Sequence, residues 1–563
     1  MSMLPNSLLN AHSPKAQFRA VVFCGLGVDL FPLVEPSADL SSDEEEAKPG
    51  LRSHGRGHGQ TKALLPVAGR KMVDWVLERV EEAGVFDILV LTPQSIAKPL
   101  AHHLRARRSQ PSSSSSGATS THSAKVELEE IPEEFSSKGC VRVLKWAAEK
   151  GLITTDFILL PCDLLLASTP SPSSSPISLA SLLDRHRTDD NLMTTLFSER
   201  PAGNVVEARK DGPAEVLTIY DQKTSTLLDV REMDEFDDDE VPLRTSLLNK
   251  FPALTLTTTI LPTQLYIFSS LLLPVLRSPD HSRRLKHMDN FRELAGWVSR
   301  LSWRNKGRDA LGVAGKAEQR RSKEDGLAMG RSATQKPEGL ERRHKEGGER
   351  KHVFEAPSYP PTGANTPALV SRASWRPDLG STERGSGFST AGEGAGLGEI
   401  VGGKKVSAAQ ARAGAGGCKI VVWRASDGFA ARGNTVQGWV EINRAALRLL
   451  PPSPPPTNTP SGVFISPDSY LHSSVYGAMG EKVGVKRCII GKNTAVGKGS
   501  KLTNCVIMEG AVIGENVKLD NCVVSNGVQI RDRAQLKDCE IGRDVIVDAD
   551  SQLKGEQLVV EVD

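Results

Sequence analysis

The sequence predicts two domains of different kinds, an α/β domain with a mainly parallel sheet and then a parallel β-helix. Three observations carry this. Between Cys488 and Gly555, aliphatic residues recur in steps of six, six and five: Ile490, Val496, Leu502, Ile507, Ile513, Leu519, Val524, Ile530, Leu536, Ile541, Val547 and Leu553. Near the N-terminus, Gln17–Cys24, a helix-period run from Lys71 to Ala83 and Phe86–Leu91 form a strand–helix–strand unit, which short right-handed connections turn into neighbouring parallel strands. Between the two regions, Pro451–Pro456 reads as a stiff linker.

The repeat comes first because twelve positions obey one rule, and a helix period does not produce it. Two residues before each aliphatic sits a small or β-branched one, such as Cys488, Thr494, Ser500, Cys505 and Ala511. That pairing suits a three-sided coil in which each side is a short strand with its large side chain inside. The same register stacks Cys488, Cys505, Cys522 and Cys539 in one column, ~5 Å apart at sheet spacing. Four aligned thiols raise the question of a metal site. No His or carboxylate joins them and no Cys-x-x-Cys occurs, so they read as small apolar core residues, with no metal expected. The pattern resembles the left-handed β-helix of hexapeptide-repeat proteins, and the handedness is implied by that resemblance.

The chain has 563 residues, 70 Lys and Arg against 68 Asp and Glu, and a net charge of +2. Length allows two or more domains, and the even balance gives no nucleic-acid or membrane signature. The eight cysteines fit a reducing compartment. No apolar run reaches eighteen residues and Met1–Ala16 lacks a signal-peptide pattern. A cytosolic protein without membrane contact is the expectation.

Taken in order, the first strand leads into Gly25-Leu26-Gly27-Val28-Asp29, a turn where backbone N–H groups meet phosphate in many α/β proteins. Segment 37–59 is poor in apolar residues, carries Ser41-Ser42-Asp43-Glu44-Glu45-Glu46, and reads as a disordered insert. Order resumes at Lys62-Ala63-Leu64-Leu65-Pro66-Val67. Val73, Val76, Leu77 and Val80 form the apolar stripe of the following helix, which Gly84 ends. Segment 109–123 is a Ser-rich insert, Gly139–Lys150 a helix, and Phe157–Leu160 a buried strand running into Pro161-Cys162-Asp163. Strands are expected at Leu192–Phe197, Phe251–Ile260 and Gln264–Phe268, and helices at Ser269–Leu276 and Asp289–Val298. Apolar periodicity fails over 302–417, a basic insert without the aromatic residues that stack bases. Order returns at the strand Cys418–Trp423 and continues in a second segment, 435–442, read as strand with it and leading into Asn443-Arg444. The domains are then 17–446, with inserts near 37–59, 109–123 and 302–417, a linker at 447–462, and the β-helix at 463–563.

The order of strand, Gly loop, Pro-Leu, then Lys-x-x-x-Pro-Val and a helix resembles the sugar-nucleotide pyrophosphorylases, a nucleotidyltransferase family with a Rossmann-like domain. The resemblance implies a nucleotide pocket at Gly25, Gly27, Lys62 and Asp163, with the aspartate at the strand end holding Mg²⁺. Active members carry Gly-x-Gly-Thr-Arg, whose Arg grips the triphosphate. Here Val28 and Asp29 stand in those places, and a carboxylate repels phosphate where a guanidinium forks onto it. No catalytic residue is therefore assigned and no cofactor is expected; the pocket is read as vestigial.

Three classes of function compete: an active sugar-1-phosphate nucleotidyltransferase such as a mannose-1-phosphate guanylyltransferase, a non-catalytic subunit of a complex, and a hexapeptide acyltransferase. The last lacks a His in a catalytic setting within the coils. The whole chain resembles the gamma subunits of translation initiation factor 2B, the guanine nucleotide exchange factor for initiation factor 2. The matching pieces are Phe18–Gly25, Lys62–Gly84, Phe157–Leu165, Cys418–Arg444, and the coils with Asn504-Cys505-Val506-Ile507 and Asn521-Cys522-Val523-Val524. The resemblance implies pairing with an epsilon subunit that performs exchange, assembly with alpha, beta and delta subunits, and contact with initiation factor 2, without specific nucleic-acid binding. Epsilon subunits share both domains and continue into helical repeats. This chain's end after the solenoid points to gamma.

Overall fold

The computed structural model describes residues 18–34, 61–109, 124–136, 138–168, 177–199, 216–236, 241–304, 417–449 and 460–560. All of these fall in one unit, Met1–Arg320 with Ser407–Asp563. The three inserts expected from composition lie almost wholly outside the described residues.

Ten strands form one sheet: β1 (Phe18–Phe23), β2 (Asp87–Pro93), β3 (Lys125–Ile131), β4 (Asp156–Pro161), β5 (Met193–Glu199), β6 (Val216–Asp221), β7 (Thr226–Glu232), β8 (Leu254–Thr257), β9 (Ile260–Phe268) and β10 (Cys418–Trp423). Their spatial order is β8-β6-β7-β10-β5-β9-β4-β1-β2-β3. The block β3-β2-β1-β4 is parallel throughout. On the other side of β4, strand β9 runs antiparallel to both of its neighbours, β5 and β10 pair parallel, and β6, β7 and β8 continue antiparallel. The sheet is therefore mixed, with its parallel half beneath the site.

Alternation along the strands builds two cores. Val21, Leu89 and Leu159 face the layer that includes helices Cys140–Glu149 and Phe291–Trp303. Ala20, Val22, Ile88 and Ile158 face the layer of helices Met72–Glu82 and Leu179–Thr188. Burial on both faces explains why these strands read as continuous apolar runs.

Several elements differ from the sequence reading. Segment 435–442 is not strand: Val436–Leu447 is a helix, capped by Thr435, whose side chain accepts from Gly438 N at 3.1 Å. Helix Gln94–Ser109 and strand β3 lie where no element was expected, and so does the β6–β7 hairpin. A separate two-stranded hairpin joins Leu164–Ser168 to Gly428–Arg432.

From Phe464 onward the chain winds into a left-handed parallel β-helix of three sheets, with six, six and four strands. Successive coils are in register at seventeen residues, as in Leu502↔Leu519↔Leu536↔Leu553. The four column cysteines are buried among the aliphatic residues of this core, and Cys505 N lies 3.4 Å from Cys488 Sγ. Among the described residues no group of His, Cys, Asp and Glu is arranged to hold a metal ion. Corners turn through left-handed residues, three to a coil, and one corner's column is Asn504 (φ 60°), Asn521 (φ 54°), Asp538 (φ 53°) and Gly555 (φ 67°). Gly, Asn and Asp tolerate that conformation best. Asn504 Nδ2 donates to Asn521 Oδ1 at 3.3 Å and Asn521 Nδ2 to Asp538 Oδ1 at 2.7 Å, so the corner is also a side-chain ladder.

Candidate functional site

The site lies at the C-terminal edge of the parallel strands β1 and β4, where open α/β sheets bind ligands. Strand β1 delivers Cys24, Gly25, Leu26 and Gly27, followed by a 3-10 turn over Val28–Leu30. Gly27 has φ +83°, and a Cβ there would stand 2.8 Å from Lys62 Cβ. A side chain at position 27 and a lysine at position 62 therefore exclude each other. Gly25 has nothing within 4 Å of where a Cβ would be, so its neighbourhood is open.

Lys62 opens the 3-10 turn Lys62–Leu64 and is buried rather than solvated. Its Nζ lies 2.6 Å from Asp163 Oδ2. Asp163 directly follows Cys162 after β4 and is fully buried. A third group, which the sequence reading did not single out, completes the arrangement. Arg432, at the end of the Gly428–Arg432 strand, donates from Nε to Asp163 Oδ1 and from Nη2 to Oδ2, both at 3.0 Å. The next residue, Gly433, donates its N–H to the Asp163 carbonyl at 2.8 Å. One carboxylate is thus held by two cations and its backbone is tied to the same partner strand.

The electrostatics follow. Burial alone would raise the Asp163 pKa, but Arg432 and Lys62 outweigh it and hold the carboxyl well below the usual range. Burial alone would depress Arg432, and the Asp163 carboxylate reverses that and raises it. Beside them, the hydrogen bond to Cys162, then burial, push the Cys24 thiol well up.

These residues do not fit a metal ion. Both Asp163 oxygens accept from cationic donors, and Mg²⁺ needs carboxylate and phosphate oxygens it can approach closely. The space lined by Val67, Met72, Trp75, Asp163, Leu164, Leu165 and Ile442 is too tight for a water molecule. Asp29 and Val28 point to the solvent side of the turn and are exposed. The structure brings Gly27, Lys62 and Asp163 together, leaves Gly25 on the open side, and adds Arg432. The only local sequence signal for Arg432 was its place eleven residues before the Asn443-Arg444 pair.

The same Arg432 strand feeds the helix Val436–Leu447, which joins the site to the β-helix. Gly438 packs against Arg432, with 2.7 Å from a built Cβ to the Arg432 carbonyl. Asn443 is fully buried; its Oδ1 accepts from Ala68 N at 2.9 Å and its Nδ2 donates to Trp439 O at 2.9 Å. Arg444 Nη2 reaches Asn521 Oδ1 of the corner ladder at 2.9 Å. One solenoid face carries outward Ile489, Val506 and Val523, and these pack in one core with Leu30, Leu33 and Trp439. The turn segment with Leu30 and Leu33 is therefore packed among helices Met72–Glu82 and Val436–Leu447 and the solenoid face.

The fold and site define a nucleotidyltransferase-like α/β domain whose pocket carboxylate is internally neutralised, joined to a left-handed β-helix. Residues 465–560 match the family described as the GMPPB C-terminal domain. Among curated proteins, the chain is similar to "Translation initiation factor eIF2B subunit gamma" of Schizosaccharomyces pombe, at 24% identity over 265 residues, 47% of this chain and 48% of that protein. The chain thus spans about half the length of that relative. Both findings bear out the resemblance to initiation factor 2B gamma subunits drawn from the residues.

Proposed function

We propose that this chain is a non-catalytic subunit of an initiation factor 2B-type complex. In this reading it pairs with an epsilon subunit, stands beside alpha, beta and delta subunits, and promotes GDP/GTP exchange on initiation factor 2 in the cytosol. The observation that carries the non-catalytic part is the double cation on Asp163. Nucleotidyl transfer is mostly positioning and charge stabilisation around phosphates and metal. Here the carboxylate that would hold the metal is already engaged, and Asp29 sits where the phosphate-gripping arginine stands in active relatives. The similarity to a gamma subunit supports the assembly part. Gly25, Gly27, Lys62 and Asp163 are in this reading a vestigial pocket with a structural role, within a domain spanning 17–446 ahead of the solenoid. Among the described residues no helix is long and apolar enough to cross a membrane.

The test is reconstitution. Release of labelled GDP from initiation factor 2 is measured with an epsilon subunit alone and with this chain added. The chain alone should release nothing, and the pair should exceed epsilon alone. No change on adding the chain contradicts the proposal.

The alternative, an active sugar-1-phosphate nucleotidyltransferase, is favoured by one observation, the family matched by the β-helix. Pyrophosphate release from GTP and mannose 1-phosphate discriminates between the two, with none expected.

A further inference from the structure

Two thiols lie beside the clasp on Asp163 and take no part in it. Strand β1 ends at Phe23 and strand β4 at Pro161, which are register partners, and Cys162 N donates to Phe23 O at 3.0 Å. The next residues, Cys24 and Cys162, therefore stand opposite each other. Their side chains share one face, since Val22 with Cys24 and Leu160 with Cys162 alternate into the same core. Register partners on neighbouring strands are about 4.8 Å apart, inside the range of about 4.4–6.8 Å that a disulfide spans between Cα atoms. Both thiols are free and buried.

Spacing alone does not single the pair out, because Cys488, Cys505, Cys522 and Cys539 are also stacked at strand spacing. The surroundings do. In the column each thiol donates to the carbonyl two residues back, as from Cys488 to Lys486 O at 3.1 Å and from Cys505 to Thr503 O at 3.0 Å. At the clasp the two thiols meet each other. The hydrogen bond from Cys24 lowers the Cys162 pKa from its ordinary value against the effect of burial, with Lys62 and Arg432 assisting and Asp163 opposing. Asp163 is the next residue and holds both cations, Lys62 at 2.6 Å and Arg432 at 3.0 Å. The thiolate is the form that attacks an oxidant, and cations beside it favour that form. Cys24, whose thiol the same hydrogen bond and then burial push up, is the protonated partner that follows.

We propose that Cys24 and Cys162 form a reversible disulfide under hydrogen peroxide, a redox switch that locks the clasp. The Cys162 sulfur attacks the peroxide: an S–O bond forms, the O–O bond breaks, and the leaving hydroxide takes the Cys162 proton as water. The Cys24 sulfur then attacks the sulfenic sulfur: the S–S bond forms, the S–O bond breaks, and the second hydroxide leaves as water with the Cys24 proton. Two thiols lose two electrons and one peroxide is reduced to two waters. A dithiol reverses the step. The bond staples the residue before Gly25-Leu26-Gly27 to the residue before Asp163. Gly27 packs against Lys62, and Asp163 is held by Lys62 and Arg432, so both sides of the clasp are tied. Intracellular disulfides of this kind are transient rather than structural. Both thiols are shielded, so the oxidant reaches them when the site opens locally, and the exposed Cys140 reacts first. Control of the clasp in this way does not depend on the assembly reading.

The test uses the full chain alone, treated with graded hydrogen peroxide, quenched in acid, blocked with N-ethylmaleimide under denaturing conditions and digested without reduction. Mass spectrometry is expected to find one peptide pair joined through Cys24 and Cys162, two hydrogens lighter than the free pair and separated by dithiothreitol. It should appear at a dose that leaves the Cys488–Cys539 column labelled by maleimide. In Cys24→Ala, dimedone should trap sulfenic acid at Cys162 about tenfold more than in the wild type, where Cys24 resolves it. The Gly433 amide, which donates to the Asp163 carbonyl, should exchange about tenfold more slowly after oxidation of the wild type and not of Cys24→Ala. Maleimide on both Cys24 and Cys162 at every dose that spares the column overturns the proposal, as does a disulfide through Cys140 instead. Equal exchange of the Gly433 amide before and after oxidation overturns the switch. No partner enters the assay, so its failure leaves the assembly reading standing, and failure to recover partners leaves the switch standing.

Discussion

The guanidinium of Arg432 forks onto the carboxylate of Asp163, 269 residues earlier in the chain, with both contacts at 3.0 Å. Lys62 closes the third side at 2.6 Å. The pair does two things at once. It occupies the oxygens a metal needs, and it pins the strand that leads through Gly433 and Gly438 into the helix on which the solenoid rests.

Breaking the clasp from one side is expected to be costly. Asp163→Asn leaves two buried cations facing a neutral amide, and about 3 kcal/mol of stability should be lost. Urea unfolding of the whole chain measures it. Replacing all three groups together (Asp163→Leu, Arg432→Met, Lys62→Met) should recover most of that loss, since apolar residues avoid the desolvation cost. A triple variant less stable than Asp163→Asn contradicts this.

Lys62→Ala removes one cation and leaves the Arg432 fork in place. Recovery of partner proteins with that variant should equal wild type. Loss of the partner would place Lys62 in recognition rather than in a vestigial pocket.

Asp29→Arg restores the residue type of active relatives at an exposed turn position. It should not create pyrophosphate-releasing activity, because Asp163 stays engaged by Arg432. Manganese titration followed by electron paramagnetic resonance should show no uptake in either protein that is lost on Asp163→Asn. Chelation should leave the melting temperature unchanged, since the Cys488–Cys539 column is apolar core.

Acid stability should report His186. Burial pushes its pKa from 6.5 down to about 4, although Asp156 and Asp190 act to raise it and Arg187 adds to the depression. The unfolded chain therefore takes up the proton first. Stability is full above pH 6.5 and falls through the window down to about 4, by roughly 3 kcal/mol. Asp163 adds slope only from about pH 5 downward, where the unfolded carboxyl begins to take up the proton that the clasped one refuses, so the part of the slope above that belongs to His186. His186→Gln, whose amide can replace the ring Nδ1 that now lies 2.9 Å from Thr194 Oγ1, should flatten the slope between pH 4.5 and 7.5.

The solenoid was readable because its period is local and its core is one residue wide. Its docked face was written in the sequence as well, in the doublets Ile489-Ile490, Val506-Ile507 and Val523-Val524, where the other two sides of the coils have pairs such as Lys501-Leu502 or Gln529-Ile530. Only the structure says what the outer member of each doublet touches. Strand β3 escaped notice because Lys125-Val126-Glu127-Leu128-Glu129-Glu130 is an edge strand dense in charge. Helix Val436–Leu447 was misread because a buried Asn443 interrupts its apolar stripe, and that residue is polar in order to hold Ala68. Arg432 had only its place before the Asn443-Arg444 pair to mark it: its role comes from a pairing closed across 269 residues, which no local pattern encodes.

The most direct measurement is native-salt affinity purification of the tagged chain with mass spectrometry of what accompanies it. The account expects a larger nucleotidyltransferase-like partner with a helical C-terminal extension, together with initiation factor 2. Recovery of the chain alone, or only as copies of itself, contradicts it.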